Sequence, residues 1–356
     1  YDPGDLTFGA GAGLLLAQAQ EQLAADGLFL PADPPYAERA ALGGLLAANA
    51  SGPLRYAYGT WRDFVVGVKF VTGEGKLVKS GGRVVKNVAG YDLTKLLIGS
   101  LGTLGIIAEI NFKCFPAPPE TASFIFTFTE REAALETRRR IVHSAWQPRA
   151  LELLDPQAAR LAAAAPLSPE HWSLVVSVGG VDAVIMRYNT DFSALARAAK
   201  TVSFAVARGE SETALWKALQ TLLPRMREAN PAATVVKAAL PLSGVGPFLA
   251  KALPIAERYE LLAAATAHAG TGIAFVYLLP TAMPDAAARC AQAATEMIHA
   301  GNNLGGRVSL PWCPTEVKRD VNPWGPLRDD FSLMKKLKAQ FDPDGVLNPG
   351  RYVGGI

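Results

Sequence analysis

The sequence predicts an α+β protein made of two domains and a C-terminal segment that returns to the first. Three observations lead there. The 356 residues are enough for two domains. A period-two hairpin pattern fills residues 63–82, and a second alternating strand fills 104–115. Beyond the proline-rich "FPAPPE", which ends at Glu120, strands and helices interleave. The expected bounds are 1–118 for the first domain, 119–337 for the second, and 338–356 for the returning segment.

Taken in order, "GLLLAQAQEQLAADG" spaces Leu15, Ala19 and Leu23 as one helical face, with Gly27 as its stop. "LFLPADPP" reads as a short strand ended by prolines. "GGLLAANASGP" is rich in small residues with a polar tip, a pattern of loops. In the hairpin, Phe64, Val66, Val68 and Phe70 share one face before a turn at Gly73-Glu74-Gly75. In the next strand Ile106, Ala108, Ile110 and Phe112 alternate with Ile107, Glu109, Asn111 and Lys113. "SFIFTFT" opens the second domain as a strand. Thr129 and Glu132 have capping-box spacing ahead of a helix through residue 142. Further strands are expected at 174–178, 202–207 and 275–279. Further helices are expected at 182–200, 212–227, 284–300 and 328–340, and the alanine-rich "DPQAARLAAAAPLSPEH" reads as another.

Composition narrows the function. Lys and Arg number 35 against 32 Asp and Glu, a net charge of +3 with no basic run, which argues against nucleic acid. No apolar stretch reaches the roughly 20 residues that cross a bilayer. Cys114, Cys290 and Cys313 lie far apart with no C-x-x-C, so neither an iron–sulfur cluster nor structural zinc is expected on this chain. Sparse, unpaired thiols suit a reducing, cytoplasmic compartment.

The glycines carry the functional signal. "ALGGLLAANASGP" and "GSLGTLGII" flank the hairpin, and glycine backbone admits close approach of a diphosphate or a flavin ring. Neither stretch opens a helix as G-x-G-x-x-G, so a Rossmann site is unsupported, and turn-forming glycines are the plain alternative. Together with "VVKNVAGYDLTKLLIGSLGTLGII" and the tail "QFDPDGVLNPGR", these stretches resemble the FAD-binding domain of the vanillyl-alcohol-oxidase type. Within it they are most similar to the FAD-binding E subunits of glycolate oxidase. The resemblance is dense over 1–120 and 338–351 and thin between.

That resemblance implies FAD as cofactor. Gly43 and Gly44 would approach the diphosphate, helped by Asn49, Ser51 and Gly52, with Tyr58 and Gly59 along the adjacent loop. Gly102, Thr103, Gly105, Ile106 and Ile107 would meet the adenosine diphosphate and ribityl portion, and Asn348 would sit near the isoalloxazine. Lys86-Asn87 would reach the flavin edge or steady a turn, and Gly90 and Gly99 would serve turns. In this family a preceding small lobe adds a Gly/Ser-rich loop, and the sequence here starts after that position.

The resemblance further implies a subunit of a glycolate oxidase complex that oxidises glycolate, a small 2-hydroxy acid, to glyoxylate. A sister flavoprotein subunit and an iron–sulfur subunit would be its partners, and the site cytoplasmic or peripheral to the inner membrane. The alternatives are a self-sufficient FAD-dependent oxidoreductase and a non-catalytic assembly subunit. Metal-assisted relatives carry a "GHAGDGNLH"-like segment, where this chain has "AHAGTGIAFVYL", and an "EHG"-like segment, where it has "GGRVSLPWCPTE". No metal site is therefore expected. His268 is left either as a hydrogen-bonded turn histidine or as a catalytic base. Arg307 is left either as a carboxylate-binding residue or as a helix-flanking surface arginine. Arg62-Asp63 reads as a local ion pair.

Overall fold

The computed structural model describes residues 1–82 and 91–356, so Lys86, Asn87 and Gly90 lie outside the described residues. The chain forms two compact units, Tyr1–Ala117 with Pro326–Ile356, and Pro118–Gly325.

The first unit holds β1 (Thr7–Gly11), β2 (Leu28–Phe29), β3 (Val65–Val71), β4 (Leu77–Gly81), β5 (Ile106–Lys113) and β6 (Phe115–Pro116). β1-β5-β3-β4 is an antiparallel sheet, and β2 pairs with β6. Phe8, Phe70, Ile110 and Phe112 are buried on its core side with Trp61 and Phe64. The alternation expected for β3 is interrupted. Register slips between Val65 and Gly67, so Val65 is buried and Val66 is not. A bulge inserts one residue and flips the following side chains. A second slip leaves Ala108 of β5 outside the β3 ladder, and its carbonyl accepts the Ala12 N–H at 2.8 Å.

The same unit carries the helices α1 (Leu16–Ala24) and α2 (Leu42–Ala48). The expectation of a loop at "GGLLAA" is corrected: Gly43 and Gly44 stand in the first turn of α2. Leu42, Leu45 and Leu46, at helical spacing, are buried and outweigh the low helix propensity of the two glycines.

The second unit carries β7 (Glu120–Phe128), β8 (Ala150–Leu154), β9 (Trp172–Gly180), β10 (Ser203–Arg208), β11 (Thr234–Ala239), β12 (Leu262–His268), β13 (Ile273–Leu279) and β14 (Arg307–Trp312). They form one antiparallel sheet in the order β10-β7-β9-β8-β12-β13-β11-β14. β7 and β9 are central and almost wholly buried, which is why their apolar runs show little alternation. The helices Pro156–Ala162, Glu210–Gln220 and Leu222–Ala229 lend Ala158, Ala162, Leu215, Leu222 and Met226 to the core with Ile125, Val175, Val235 and Tyr277.

Three sequence expectations are corrected here. The residue before the Arg131–Val142 helix is Glu130 and makes no side-chain cap, while Glu132 turns to Arg131 instead of forming a box with Thr129. The helix expected over 212–227 is two, broken at Thr221, just ahead of Pro224, whose ring removes an amide donor. Arg307 flanks no helix; it is the exposed first residue of β14.

Candidate cofactor site

In the first unit, four segments converge on a cavity of about 510 Å³, within the ~300–1,000 Å³ of typical cofactor pockets. Ala12 and Gly13 follow β1. Gly43, Gly44 and Ala47 come from α2. Gly102, Gly105, Ile106 and Ile107 lead into β5. Val346, Leu347 and Asn348 close it from the C-terminal segment. Among the described residues, the lining holds no charged side chain. A negatively charged group here would be met by backbone amides and the Asn348 side chain.

Backbone hydrogen bonds hold the segments together. Gly43 N–H donates to the Ala12 carbonyl at 2.8 Å, and Leu42 N–H to the Leu14 carbonyl at 2.9 Å. Leu101 N–H donates to the Ala47 carbonyl at 2.8 Å, and Asn348 Nδ2 donates to the Leu101 carbonyl at 2.8 Å. Gly102 has φ +72°, and a Cβ there would lie 2.7 Å from Asn348 Nδ2, so the tail asparagine needs a glycine beneath it.

The glycines divide into two kinds. At Gly44 and Gly13, both of which line the cradle, an added Cβ meets nothing within 4 Å. At Gly43 it would lie 2.8 Å from the Ala12 Cβ, and at Gly105 2.6 Å from the Phe70 ring. These two are glycines because protein already fills the space.

The remaining sequence candidates do not line the cavity. Thr103 is buried beside it, its hydroxyl donating to the Ser100 carbonyl at 2.7 Å. Asn49 ends α2 in the left-handed region. Ser51 accepts from Arg55 at 3.4 Å. A Cβ on Gly52 would collide with the Asp33 carbonyl, and one on Gly59 with the Asp63 carboxylate. Tyr58 packs edge-on against Phe29 and Phe115. Arg62 and Asp63 do not pair as expected: Arg62 Nη1 donates to the Lys95 carbonyl, and Asp63 accepts from the Thr60 N–H at 2.7 Å. Ala12, Gly13, Ala47, Val346 and Leu347 were not singled out from the sequence. "GAGAG" was the one local signal for Ala12 and Gly13.

The cradle fits an FAD. It is lined by glycines, alanines, the aliphatic Ile106, Ile107, Val346 and Leu347, and Asn348, with no charged side chain among the described residues, and a Cβ on Gly44 would meet nothing. The pieces come from the ends of β1 and α2, from the start of β5 and from the tail.

Within the second unit, a different chemistry gathers on one sheet face. His268 and Glu152 are cross-strand partners of β12 and β8. His268 Nδ1 and Glu152 Oε1 lie 2.8 Å apart, with the carboxylate side chain 7% exposed and the imidazole 12%. The His268 carbonyl accepts the Thr271 N–H at 2.9 Å, and its ring meets Phe275 edge-on. Register carries the same face onward through Phe275 on β13, Lys237 on β11, and Ser309 and Arg307 on β14. Below it, Asp155 is pushed up to about 6 by burial, against the N–H donors of Ala265, Ala158 and Gln157. Tyr277 is pushed up to about 12, also by burial. Cys114 and Cys290 are free and buried, each thiol pushed up to about 11 by burial, so both are poor nucleophiles.

Comparison with known proteins bears on both units. The family model for an FAD binding domain matches residues 1–81, and that for the C-terminal domain of FAD linked oxidases matches residues 117–352. The glycolate oxidase subunit GlcD of Bacillus subtilis is 29% identical over 98% of this chain and 76% of its own length. The D-lactate dehydrogenase of Archaeoglobus fulgidus is 28% identical over 96% and 76%. The glycolate oxidase subunit GlcE of Escherichia coli is 42% identical over a shorter stretch, 38% of this chain and 39% of that one. An alkyldihydroxyacetonephosphate synthase structure superposes with a TM-score of 0.73 at 20% identity, over 99% of this chain and 66% of its own. The fold is thus that of the vanillyl-alcohol-oxidase type, and no helix of the described residues is long and apolar enough to cross a membrane. The chain belongs to the FAD-linked oxidases and is an FAD-dependent oxidoreductase.

Proposed function

We propose that the chain is the FAD-binding subunit of a glycolate oxidase type complex, oxidising a small 2-hydroxy acid to the 2-oxo acid. The observation that carries this reading is the cradle whose lining is glycines, alanines, aliphatic side chains and Asn348 without a charged group, with Gly44 facing open space. The bound flavin would supply hydride acceptance from the carbinol carbon. Gly43, Gly44, Gly102, Gly105, Ile106, Ile107 and Asn348 would hold it, with Thr103 fixing the loop between. The likeness to GlcD and GlcE supports glycolate as substrate and a multi-subunit context; in this reading a sister flavoprotein subunit and an iron–sulfur subunit would be the partners.

In this reading the chain's own residues bind and orient. Glu152 fixes the tautomer and plane of His268, leaving Nε2 as the nitrogen able to take a hydroxyl proton. Lys237 and Arg307, on the same sheet face, would attract the substrate carboxylate.

A second reading, a self-sufficient oxidoreductase of D-2-hydroxy acids, is favoured by the near full-length match to a D-lactate dehydrogenase. One experiment separates them: anaerobic addition of glycolate or D-lactate to the purified, FAD-loaded chain, followed at the flavin absorption band. Bleaching without partners establishes the second reading. Bleaching of the combined subunits beyond that of the GlcD-like subunit alone, with none by this chain alone, establishes the first, and no bleaching through this chain in either case overturns both. Where bleaching occurs through this chain, His268→Ala slows it by about 100-fold or more.

A further inference from the structure

We propose that the buried Lys338–Asp342 ion pair is the positioning device of the cofactor cradle, tying two of its walls to one ammonium so that they open or close together. The proposal rests on the reading that the cavity holds FAD. Lys338 stands in the last turn of the Phe331–Phe341 helix, and Asp342 is the residue just past it. Lys338 Nζ donates to the Thr103 carbonyl at 2.9 Å, to the Leu347 carbonyl at 2.8 Å, and to the Asp342 carboxylate. An ammonium has three protons, and all three are used. Thr103 lies in the loop that presents Gly102 and Gly105, while Leu347 is itself a wall of the cavity. One side chain therefore reaches a wall 235 residues away in sequence.

Asp342 completes the clasp. Its carboxylate accepts the Val346 N–H at 3.0 Å and the Leu347 N–H at 2.8 Å, folding the tail back over the helix end. It is 1% exposed. The site has been given room: a Cβ on Gly73 would collide with Asp342 Oδ1, and the Gly73 N–H donates to the Phe341 carbonyl at 2.9 Å. The β3–β4 turn is thereby a third element tied to the same helix end. Desolvating two charges offsets much of their attraction, so a buried pair is a poor source of stability. Its distinct property is geometry, because every donor and acceptor has one satisfied arrangement. Asn348 adds a separate, uncharged tie to Leu101.

The test uses the full chain with FAD as the probe. Binding is read by quenching of flavin fluorescence, and the environment of the bound ring by its visible circular dichroism. Lys338→Met and Asp342→Asn are each expected to raise the FAD dissociation constant at least tenfold and to alter the dichroism band. In the unmodified chain, hydrogen exchange at Thr103 and at Val346 and Leu347 is expected to slow by a common factor when FAD binds. This second measurement stands whether or not the variants fold. Dissociation constants within twofold of the unmodified chain, or slowing of one segment without the other, overturn the proposal. Gly44→Val separates this from the underlying reading. If it binds FAD normally, the cavity is not the flavin site. If it loses FAD while Lys338→Met keeps it, the site stands and the positioning role falls.

Discussion

The cradle of the first unit and the sheet face of the second are built on opposite plans. The cradle is made of backbone: its walls are glycines, alanines and aliphatic residues, tied by main-chain hydrogen bonds and one distant ammonium. The sheet face is made of side chains: Glu152, His268, Phe275, Lys237 and Arg307 project from five adjacent strands. A cofactor gripped through backbone demands absence of side chains at particular points. A small, variable substrate demands particular functional groups, and a rigid sheet presents them at fixed spacing.

That contrast also explains the glycines. Clustered glycines suggest a ligand pressed to the chain, yet only some serve it. Gly43 and Gly105 are small because Ala12 and Phe70 already occupy the space, and Gly52 because Asp33 does. Gly44 is small with nothing in front of it.

The strongest way to break this division is Gly44→Val. The added side chain projects into the cavity, and valine costs a helix no more than glycine does. FAD affinity should fall about 1,000-fold or more, close to 4 kcal/mol, with the melting temperature of the cofactor-free chain unchanged. Unaltered FAD titration would refute it. Gly52→Ala should do the reverse. Its Cβ collides with the Asp33 backbone, costing about 2–3 kcal/mol of stability whether or not FAD is present. Denaturant melts of both forms check this, and a loss confined to the FAD-bound form would contradict it.

The smallest effect probes the second unit. Asp155 caps the Pro156–Ala162 helix, accepting the Ala158 N–H at 2.7 Å, and titrates near 6 because it is buried. Between its unfolded value near 3.9 and about 6, the folded state binds more protons. Stability is therefore greatest below the lower value and declines as pH rises through about 6. Asp155→Asn keeps a cap acceptor and removes the charge. It should gain about 1–2 kcal/mol relative to wild type between pH 4 and 7.5. Parallel melting curves at the two pH values would argue against a buried, titrating carboxylate.

Legibility in the sequence obeys a physical rule. Local signals worked where one face of an element sets its pattern: Ala19 and Leu23 on α1, where buried Leu16 and not the expected Leu15 completes the face, Ile110 and Phe112 on β5, the turn at Gly75. The resemblance of the glycine stretches and tail led to the FAD-linked oxidase fold. Sequence reading missed β1, β8, β11, β12 and β14; at β8 and β12 the reason is that "ALELL" and "LAAATAH" are rich in helix formers. Alanines suit β12 since helix Val245–Arg258 packs against that sheet and leaves little space, a tertiary demand that overrides propensity.

The sequence by itself determined the fold class and the polar groups available, because these depend on periodicity and composition within short windows; the cofactor type came from the resemblance of the glycine stretches and tail to a known family. Only the tertiary structure decided which glycines face a ligand, that Glu152 lies opposite His268, 116 residues away, and that Lys338 reaches Thr103. Those relations arise from strand register and chain return. Bulges and packing set them through contacts between distant segments, and no local window of residues encodes them.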